Sequence, residues 1–456
     1  MDTTRQSSGS QQKIPYRNWI NLAILCFINI ISYSDRLVLS VLISEIKEDF
    51  DIDNDLVGLL HSSFFILFVI GVPVYGYLGD RYNRKYLLSF SIFLWNITNL
   101  GSSFLTTYWP FLCLRTVFGL GHAGFTALAP VILGDLFRGG ERTKILTIFY
   151  LGIPAGLGLG YIVGKHVEVI CGSWRWSLRV TPIASVLYMI VWLVAMKEPR
   201  RGEIEGKAFS AALLIDDIQY LSKNVSFILS TVSFACVAFT AEACSWWGPH
   251  LFNIGVPLLS EGIDLVLIDS IFGGIAILSG VIGVVLGFIF STKLKAKCPK
   301  IDPIICATGL FIGMPILVGA SFLIPHNLTI CFILLFIGLI TMNLNWALMV
   351  DIVLCVVLPT KRSLAMGLQL FVGHGFGSLL SPYLVGLFSD YLATLELSST
   401  QQWNEFRALQ YAFFGATAIA FVGSCLLMAC ACFIVRDIKK VDTARDKHGN
   451  TDEELP

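Results

Sequence analysis

Charged side chains are scarce in this chain of 456 residues, of which 14% are charged and 55% are hydrophobic. Ionisable groups inside long apolar stretches are costly to bury, and they commonly bind a substrate or carry protons. Those that stand in such stretches and could act in this way are Asp35, Arg36, Arg115, His122, Glu242 and His374. We take all of them as candidate substrate-binding residues, with Asp35, His122 and Glu242 as candidates for proton coupling.

Arg115 is the candidate for holding an anionic group, because a guanidinium presents a planar fork of donors that fits a phosphate or carboxylate. At a rise of about 1.5 Å per helical residue, Asp35, Arg115 and Glu242 come to similar depth. Asp35 is therefore the expected counter-ion of Arg115 in an empty site. The alternative is a permanent structural ion pair. Arg36 points about 100° away from Asp35 on a helix and need not share its partner.

His122 follows Arg115 by seven residues, which places it on the same helix face about 10.5 Å deeper. Because histidine titrates near neutral pH, we hypothesise that His122 and Glu242 together set a pH response. The alternative is a hydrogen-bonded core histidine. The alternative from another functional class is a membrane enzyme that uses His122 or His374 as a base. Neither histidine has an adjacent nucleophile or metal-ligand spacing, so we expect no catalytic residue, metal or cofactor.

A second pattern is the loop segment 76–85, which reads Gly-Tyr-Leu-Gly-Asp-Arg-Tyr-Asn-Arg-Lys. Its glycine permits close helix contact, and its charged residues can bind helix ends. The corresponding segment 287–293 keeps a glycine and a lysine but lacks the acid. The alternative is that the basic residues only set membrane topology. We predict a conformational latch composed of Gly76, Asp80, Arg81, Arg84, Lys85 and Asp351.

The elements that position these residues are apolar runs of about 20 residues, long enough to cross a hydrocarbon core of ~30 Å as helices. The predicted class is an all-α membrane protein of twelve transmembrane helices. Their approximate spans are 19–43, 56–79, 86–106, 110–134, 145–167, 177–197, 226–252, 266–291, 302–324, 328–357, 363–388 and 405–435.

Lysine and arginine are concentrated in the loops that follow even-numbered spans, which indicates that these loops and both termini are cytoplasmic. A charged segment divides the spans into two groups of six. The predicted organisation is a tail at 1–18, a six-helix lobe at 19–197, a cytoplasmic linker at 198–225, a second six-helix lobe at 226–436 and a tail at 437–456.

Segment 76–85 resembles the G-x-L-x-D-R-x-x-R-K motif of the major facilitator superfamily, and it lies in the matching loop between the second and third spans. Further stretches resemble the Spinster family of that superfamily: Ser32–Arg36, Trp174–Pro182, Asn345–Ala347 and Ser381–Leu387. The resemblance covers nearly all twelve spans. It implies a carrier of lysolipids or sphingolipids, because characterised members move lysophospholipids out of lysosomes or export sphingosine-1-phosphate.

This chain departs from the Spinster pattern at two positions in or beside the candidate site. The family usually has glutamate where this chain has His122, which puts any proton coupling through that acid in doubt. His374 matches a family histidine, although Gly373 replaces the preceding serine.

The expected function is alternating-access transport of an amphipathic lipid, with proton linkage as an open option. An organic-anion or sugar carrier of the same fold is the alternative. The expected partners are the lipid substrate, membrane lipids and protons. No nucleic acid is expected, and the carrier is expected to be a monomer. By resemblance, a lysosomal or late endosomal membrane is favoured over the plasma membrane.

Overall fold

The computed structural model describes residues 16–137, 140–196, 211–260, 262–358, 361–398 and 400–452. These residues form helices joined by turns, without a strand among them. The first lobe contains α1 Tyr16–Leu37, α2 Asn54–Arg81, α3 Arg84–Ser102, α4 Tyr108–Leu136, α5 Gly140–Cys171 and α6 Val180–Ala195. The second contains α7 Val225–Gly255, α8 Leu265–Lys295, α9 Ile301–Leu323, α10 Leu328–Val356, α11 Leu364–Ala393 and α12 Gln401–Asp452.

Within the described residues, eleven helices are long and apolar enough to cross a membrane. The predicted third span is present as α3, a helix of 19 residues that packs along α4. It is less apolar because it begins with Arg84 and Lys85 and carries the buried Asn96 and Asn99. The predicted all-α fold of two six-helix lobes is confirmed, and α3 completes the first lobe with polar side chains that face the interior of that lobe.

Several helices are interrupted, contain an irregular turn or extend beyond their predicted ends. α10 is interrupted between Asn343 and Asn345, and α11 contains a π-helical turn at Gly373–Ser378. The predicted linker falls partly outside the described residues, but its second half forms the helix Ala211–Ser222. α12 continues past the predicted boundary at 436 to Asp452 as one helix.

We call the end of the bundle that carries the start of α1 and the end of α12 the near end. The opposite end, which carries the segments 38–53, 103–107, 172–179, 256–260, 262–264 and 394–398, is called the far end. The largest hydrophobic core combines the interior of the second lobe with far-end residues of the first, among them Leu37, Val41, Ile46, Val57 and Phe111. A second core lies within the first lobe around Phe64, Trp95 and Trp192. The two lobes thus share one apolar interior at the far end.

Helices α2 and α11 meet across the lobe boundary at the far end. A Cβ atom added at Gly58 would lie 2.1 Å from the Pro382 carbonyl oxygen, and one at Gly386 would lie 2.2 Å from the Asn54 carbonyl oxygen. Contact this close between backbones requires glycine at both positions. The backbone N–H of Tyr383 also donates to Ser62 Oγ at 3.2 Å.

Asp390, on α11, caps the N-terminus of α2 from the opposite lobe. Its Oδ2 accepts a hydrogen bond from the Asp55 N–H at 2.7 Å, and its Oδ1 accepts one from the Asn54 N–H at 3.3 Å. A carboxylate at a helix N-terminus satisfies free N–H groups and favours the positive end of the helix dipole. This cap therefore exists only while the two lobes are in contact at the far end.

We expect Asp390→Asn to accelerate amide hydrogen exchange at Asn54 and Asp55 by roughly 10-fold, because losing a capping interaction costs about 1 kcal/mol or more. Hydrogen–deuterium exchange with mass spectrometry measures this directly. Asp264→Asn is the matched control, since Asp264 caps its own helix by accepting from the Val266 N–H at 2.9 Å. Equal exchange at Asn54 in wild type and Asp390→Asn would contradict the cross-lobe cap.

Candidate functional site

The centre of the candidate site is an ion pair that crosses the lobe boundary. Arg36 of α1 donates from Nη2 to Glu242 Oε1 of α7 at 2.6 Å, and the two side chains are only 11% and 10% exposed. The same oxygen accepts a hydrogen bond from His61 Nε2 of α2 at 2.7 Å. One carboxylate of the second lobe is therefore held by two groups of the first.

Aromatic rings enclose this pair. The Arg36 guanidinium lies 4.8 Å from the ring centre of Phe65 and 5.5 Å from that of Phe64. His61 stacks on Trp246 with ring centres 4.3 Å apart. Rings exclude water and attract the cation, so the charges interact in surroundings of low polarity. Removing one partner of such a pair leaves an uncompensated buried charge, at a cost of about 3–5 kcal/mol.

Asp35 and Arg115 do not form the direct pair that the sequence suggested. Asp35 accepts hydrogen bonds from Trp95 Nε1 at 2.9 Å and from the Thr181 hydroxyl. Arg115 Nη1 instead donates to Asn99 Oδ1 at 3.1 Å, and Asn99 Nδ2 lies 3.5 Å from Thr181 Oγ1. The two charges are linked through these polar side chains because α3 and α6 place an amide and a hydroxyl between them.

Arg115 keeps unused donor capacity. It is 2% exposed, its guanidinium lies 4.3 Å from the ring centre of Phe118, and its Nε has no hydrogen-bond partner within the described part of the chain. A buried N–H without an acceptor is energetically unfavourable. An anionic group that reached Arg115 would satisfy it.

His122 lies in the first lobe and is not in contact with Glu242. Its Nδ1 is 3.1 Å from Ser32 Oγ, and its ring centre is 4.5 Å from that of Phe118 and 5.4 Å from that of Phe64. Phe64 also stacks on His61, with ring centres 6.2 Å apart. The structure therefore does not form the expected pair of His122 and Glu242, because the histidine that reaches the carboxylate is His61.

Sequence reasoning missed His61 and Trp246, although a signal was present. His61 is seven residues beyond the start of α2, about 10.5 Å along the helix, and Arg115 is also seven residues beyond the start of α4. Trp246 follows Glu242 by four residues and so lies on the same helix face. Depth along α2 together with helix periodicity along α7 would have made these two residues candidates.

His374 lies between the lobes at mid-depth. Its ring stacks on Phe65 of α2 with centres 5.9 Å apart and meets the edge of Phe68 at 5.8 Å. Its Nδ1 is 3.1 Å from Ser378 Oγ, within the π-helical turn of α11. Such turns are often found at functional sites, and this one brings a second-lobe histidine to the aromatic side chains of the first lobe.

The predicted latch segment 76–85 is tied to its own lobe. Arg84 donates from Nη1 to the Asp135 carboxylate and from Nε to the Gly79 carbonyl oxygen at 2.9 Å. Arg81 lies over the Tyr77 ring at 4.0 Å, and the Lys85 N–H donates to Asn83 Oδ1 at 3.0 Å. An added Cβ at Gly76 would meet no atom within 4 Å. The side chain of Asp80 lies outside the described part of the structure.

The remaining latch candidate, Asp351, pairs with Lys295, whose Nζ is 2.5 Å from Asp351 Oδ2 and 2.7 Å from Asp302 Oδ2. Ser291 Oγ also donates to Asp302 Oδ1 at 2.6 Å. The second lobe thus has a near-end basic–acidic cluster like that of the first. Its acids come from α9 and α10, which is why segment 287–293 alone did not show them.

Comparison with known proteins agrees with this architecture. Residues 25–353 match the Major Facilitator Superfamily. The chain is 36% identical to protein spinster of Drosophila melanogaster over 469 aligned residues, which cover 92% of this chain and 77% of that protein. It is 35% identical to protein spinster homolog 1 of Homo sapiens, over 97% of this chain and 86% of the relative.

Among solved structures, a bacterial homolog of the human lysosomal transporter Spinster, in an inward-facing and unoccupied conformation, has a TM-score of 0.80. The match covers 94% of this chain and 99% of that protein at 19% identity. The nucleoside transporter NupG has a TM-score of 0.69 at 16% identity, covering 91% of this chain and 99% of NupG. These neighbours share the fold of this chain. The chain belongs to the Spinster family of the Major Facilitator Superfamily and is a multi-pass membrane transporter.

Proposed function

We propose that this transporter carries a lysolipid or sphingolipid, of the lysophospholipid or sphingosine-1-phosphate class, by alternating access between its two lobes. The observation that carries the proposal is the pair of Arg36 and Glu242, in which a guanidinium of one lobe is held by a carboxylate of the other at 2.6 Å. A phosphate-bearing head is the kind of ligand that competes for this guanidinium. Membership of the Spinster family supports the substrate class.

The side chains around Arg36 suit an amphipathic ligand. Arg36 and Arg115 supply positive charge, and neutral hydrogen-bonding groups lie beside Arg115, as Asn99, and beside His122, as Ser32. The rings of Phe64, Phe65 and Phe68 form a continuous apolar surface, with neighbouring ring centres 5.1–6.0 Å apart. The polar head would bind the two arginines, and the hydrocarbon tail would lie along this aromatic surface.

Binding and gating are coupled in this scheme. When the anionic head binds Arg36, Glu242 loses its stronger partner and keeps only His61, so the contact between the lobes weakens. The far end can then open. We propose that the latch segment Gly76–Lys85, with Asp80, stabilises the alternate state at the near end, and that Asp351 supports the matching cluster of the second lobe.

We extend the proposal to proton coupling and to the membrane in which the carrier acts. Glu242, Asp35 and His122 are the proposed proton-coupling residues, to which the geometry adds His61. We propose that both termini are cytoplasmic, as the charge distribution of the loops indicates. The far end would then face the lumen of a lysosome or late endosome, and the carrier would act as a monomer.

Uptake of a radiolabelled panel into proteoliposomes, with and without a pH gradient, tests the substrate class. We expect uptake of lysophospholipids or sphingosine-1-phosphate, and at least a 10-fold loss of apparent affinity in Arg115→Lys, because charge-assisted hydrogen bonds contribute about 1.5–3 kcal/mol each. Arg179→Lys is the matched control, since Arg179 donates to Ser103 Oγ away from this site. Uptake of sugars or small organic anions instead of lipid, or equal effects of both variants, would contradict the proposal.

Glu242→Gln tests competition for Arg36. Without the carboxylate, Arg36 is free to bind a ligand anion, so we expect tighter binding of sphingosine-1-phosphate, by roughly 10-fold, and no gain for sphingosine, which lacks the phosphate. Equilibrium binding to the purified carrier measures both. Glu45→Gln is the control, because Glu45 pairs with Lys165 inside the first lobe. An equal change for both ligands would rule out competition at Arg36.

A further inference from the structure

A second polar cluster lies at the far end, apart from the site described above. Asp269, near the start of α8, is 0% exposed, and its Oδ2 is 3.5 Å from Asn253 Nδ2 of α7. The other oxygen of each side chain, Asp269 Oδ1 and Asn253 Oδ1, has no hydrogen-bond partner within the described residues. Both belong to the same pair of side chains. An ionised carboxylate cannot satisfy them, because it only accepts hydrogen bonds.

The charged groups that act on Asp269 are Lys165 of α5 and Glu45 of the short helix Ile43–Phe50, both from the first lobe. Lys165 Nζ binds the Glu45 carboxylate and lies 3.2 Å from Glu168 Oε2. The ammonium is thus shared by two carboxylates of its own lobe, and it forms no direct ion pair with Asp269. An ionised Asp269 would be a buried charge with a single long hydrogen bond, which is strongly unfavourable.

We propose that Asp269 is a proton-binding site whose proton is shared with Asn253. In the protonated acid, the new O–H bond at Oδ1 donates to Asn253 Oδ1 while Asn253 Nδ2 donates to Asp269 Oδ2. This cyclic acid–amide pair satisfies both unpartnered oxygens with one proton. The proton comes from hydronium in the water at the far end, where one O–H bond breaks as the new one forms on Asp269 and a water molecule is left.

The position of the pair gives the proton a role in gating. α5 and α8 belong to opposite lobes and pack against each other, so separation of the lobes at the far end would admit water to Asp269 and allow it to ionise. Closing the far end again requires the proton to return. Acid at the far end therefore favours the closed state and alkali favours the open one. This role does not depend on which substrate is carried.

The first test is infrared spectroscopy of the purified full-length carrier at neutral pH, with 13C-labelled aspartate to identify the carboxyl. We expect a C=O band of a protonated aspartic acid in the wild type, its loss in Asp269→Asn, and its retention in Asp437→Asn. Asp437 is the matched control, because it is equally buried but accepts hydrogen bonds from Ser226 and Lys440. Absence of the band in the wild type, or its persistence in Asp269→Asn, would overturn the proposal.

The second test separates a gating role from a purely structural one. We compare hydrogen exchange at Asn54 and Asp55 in wild type and Asp269→Asn as the pH is raised. The variant carries a permanently neutral amide, so the ratio of wild-type to variant exchange is expected to rise several-fold from acidic to alkaline pH. A constant ratio would refute the link to gating. Failure of lipid transport in vesicles would leave both readouts unaffected, so the substrate proposal and this one fail separately.

Discussion

The whole molecule is constrained by one buried carboxylate, whose hydrogen-bond partners lie in the opposite lobe. Glu242 belongs to the second lobe, but its hydrogen-bond partners Arg36 and His61 belong to the first. Aromatic side chains cover Arg36 and His61 and shield the group from most water. Separation of the lobes must therefore supply a replacement for each broken interaction, either from water or from a ligand. A ligand anion replaces Glu242 as the partner of Arg36 more effectively than water does, because the anion carries a negative charge.

The far end carries further interactions that depend on lobe contact. The apolar core is continuous across the boundary, the α2 N-terminus is capped by Asp390, and Tyr161 donates from its hydroxyl to the Ser245 carbonyl oxygen at 2.9 Å. Each interaction is worth only a few kcal/mol at most. If the lobes separate at the far end, these interactions are lost together, so we expect two discrete arrangements and no gradual deformation.

The fold was predictable from the sequence because lipid leaves helix as the economical choice for long apolar runs, and lysine and arginine mark the loops. The one predicted span that is less apolar than the others is α3, because it carries Asn96 and Asn99. Both face the lobe interior, and Asn99 binds Arg115. The site was less predictable. Depth along each helix placed Asp35, Arg115 and Glu242 in one layer, but depth carries no information on helix rotation. Rotation decides that Asp35 meets Trp95 and Thr181, and that His61 rather than His122 reaches Glu242.

The distance between the lobes at the far end tests the central claim most directly. Pulsed electron paramagnetic resonance would use spin labels at Thr106→Cys and Thr394→Cys, in a background in which the exposed Cys113, Cys171, Cys425 and Cys432 are serine. If the pair of Arg36 and Glu242 holds the far end closed, Glu242→Gln should shift the distance distribution to longer values, as should a phosphate-bearing lysolipid added to the wild type. An unchanged distribution in both experiments would contradict the account.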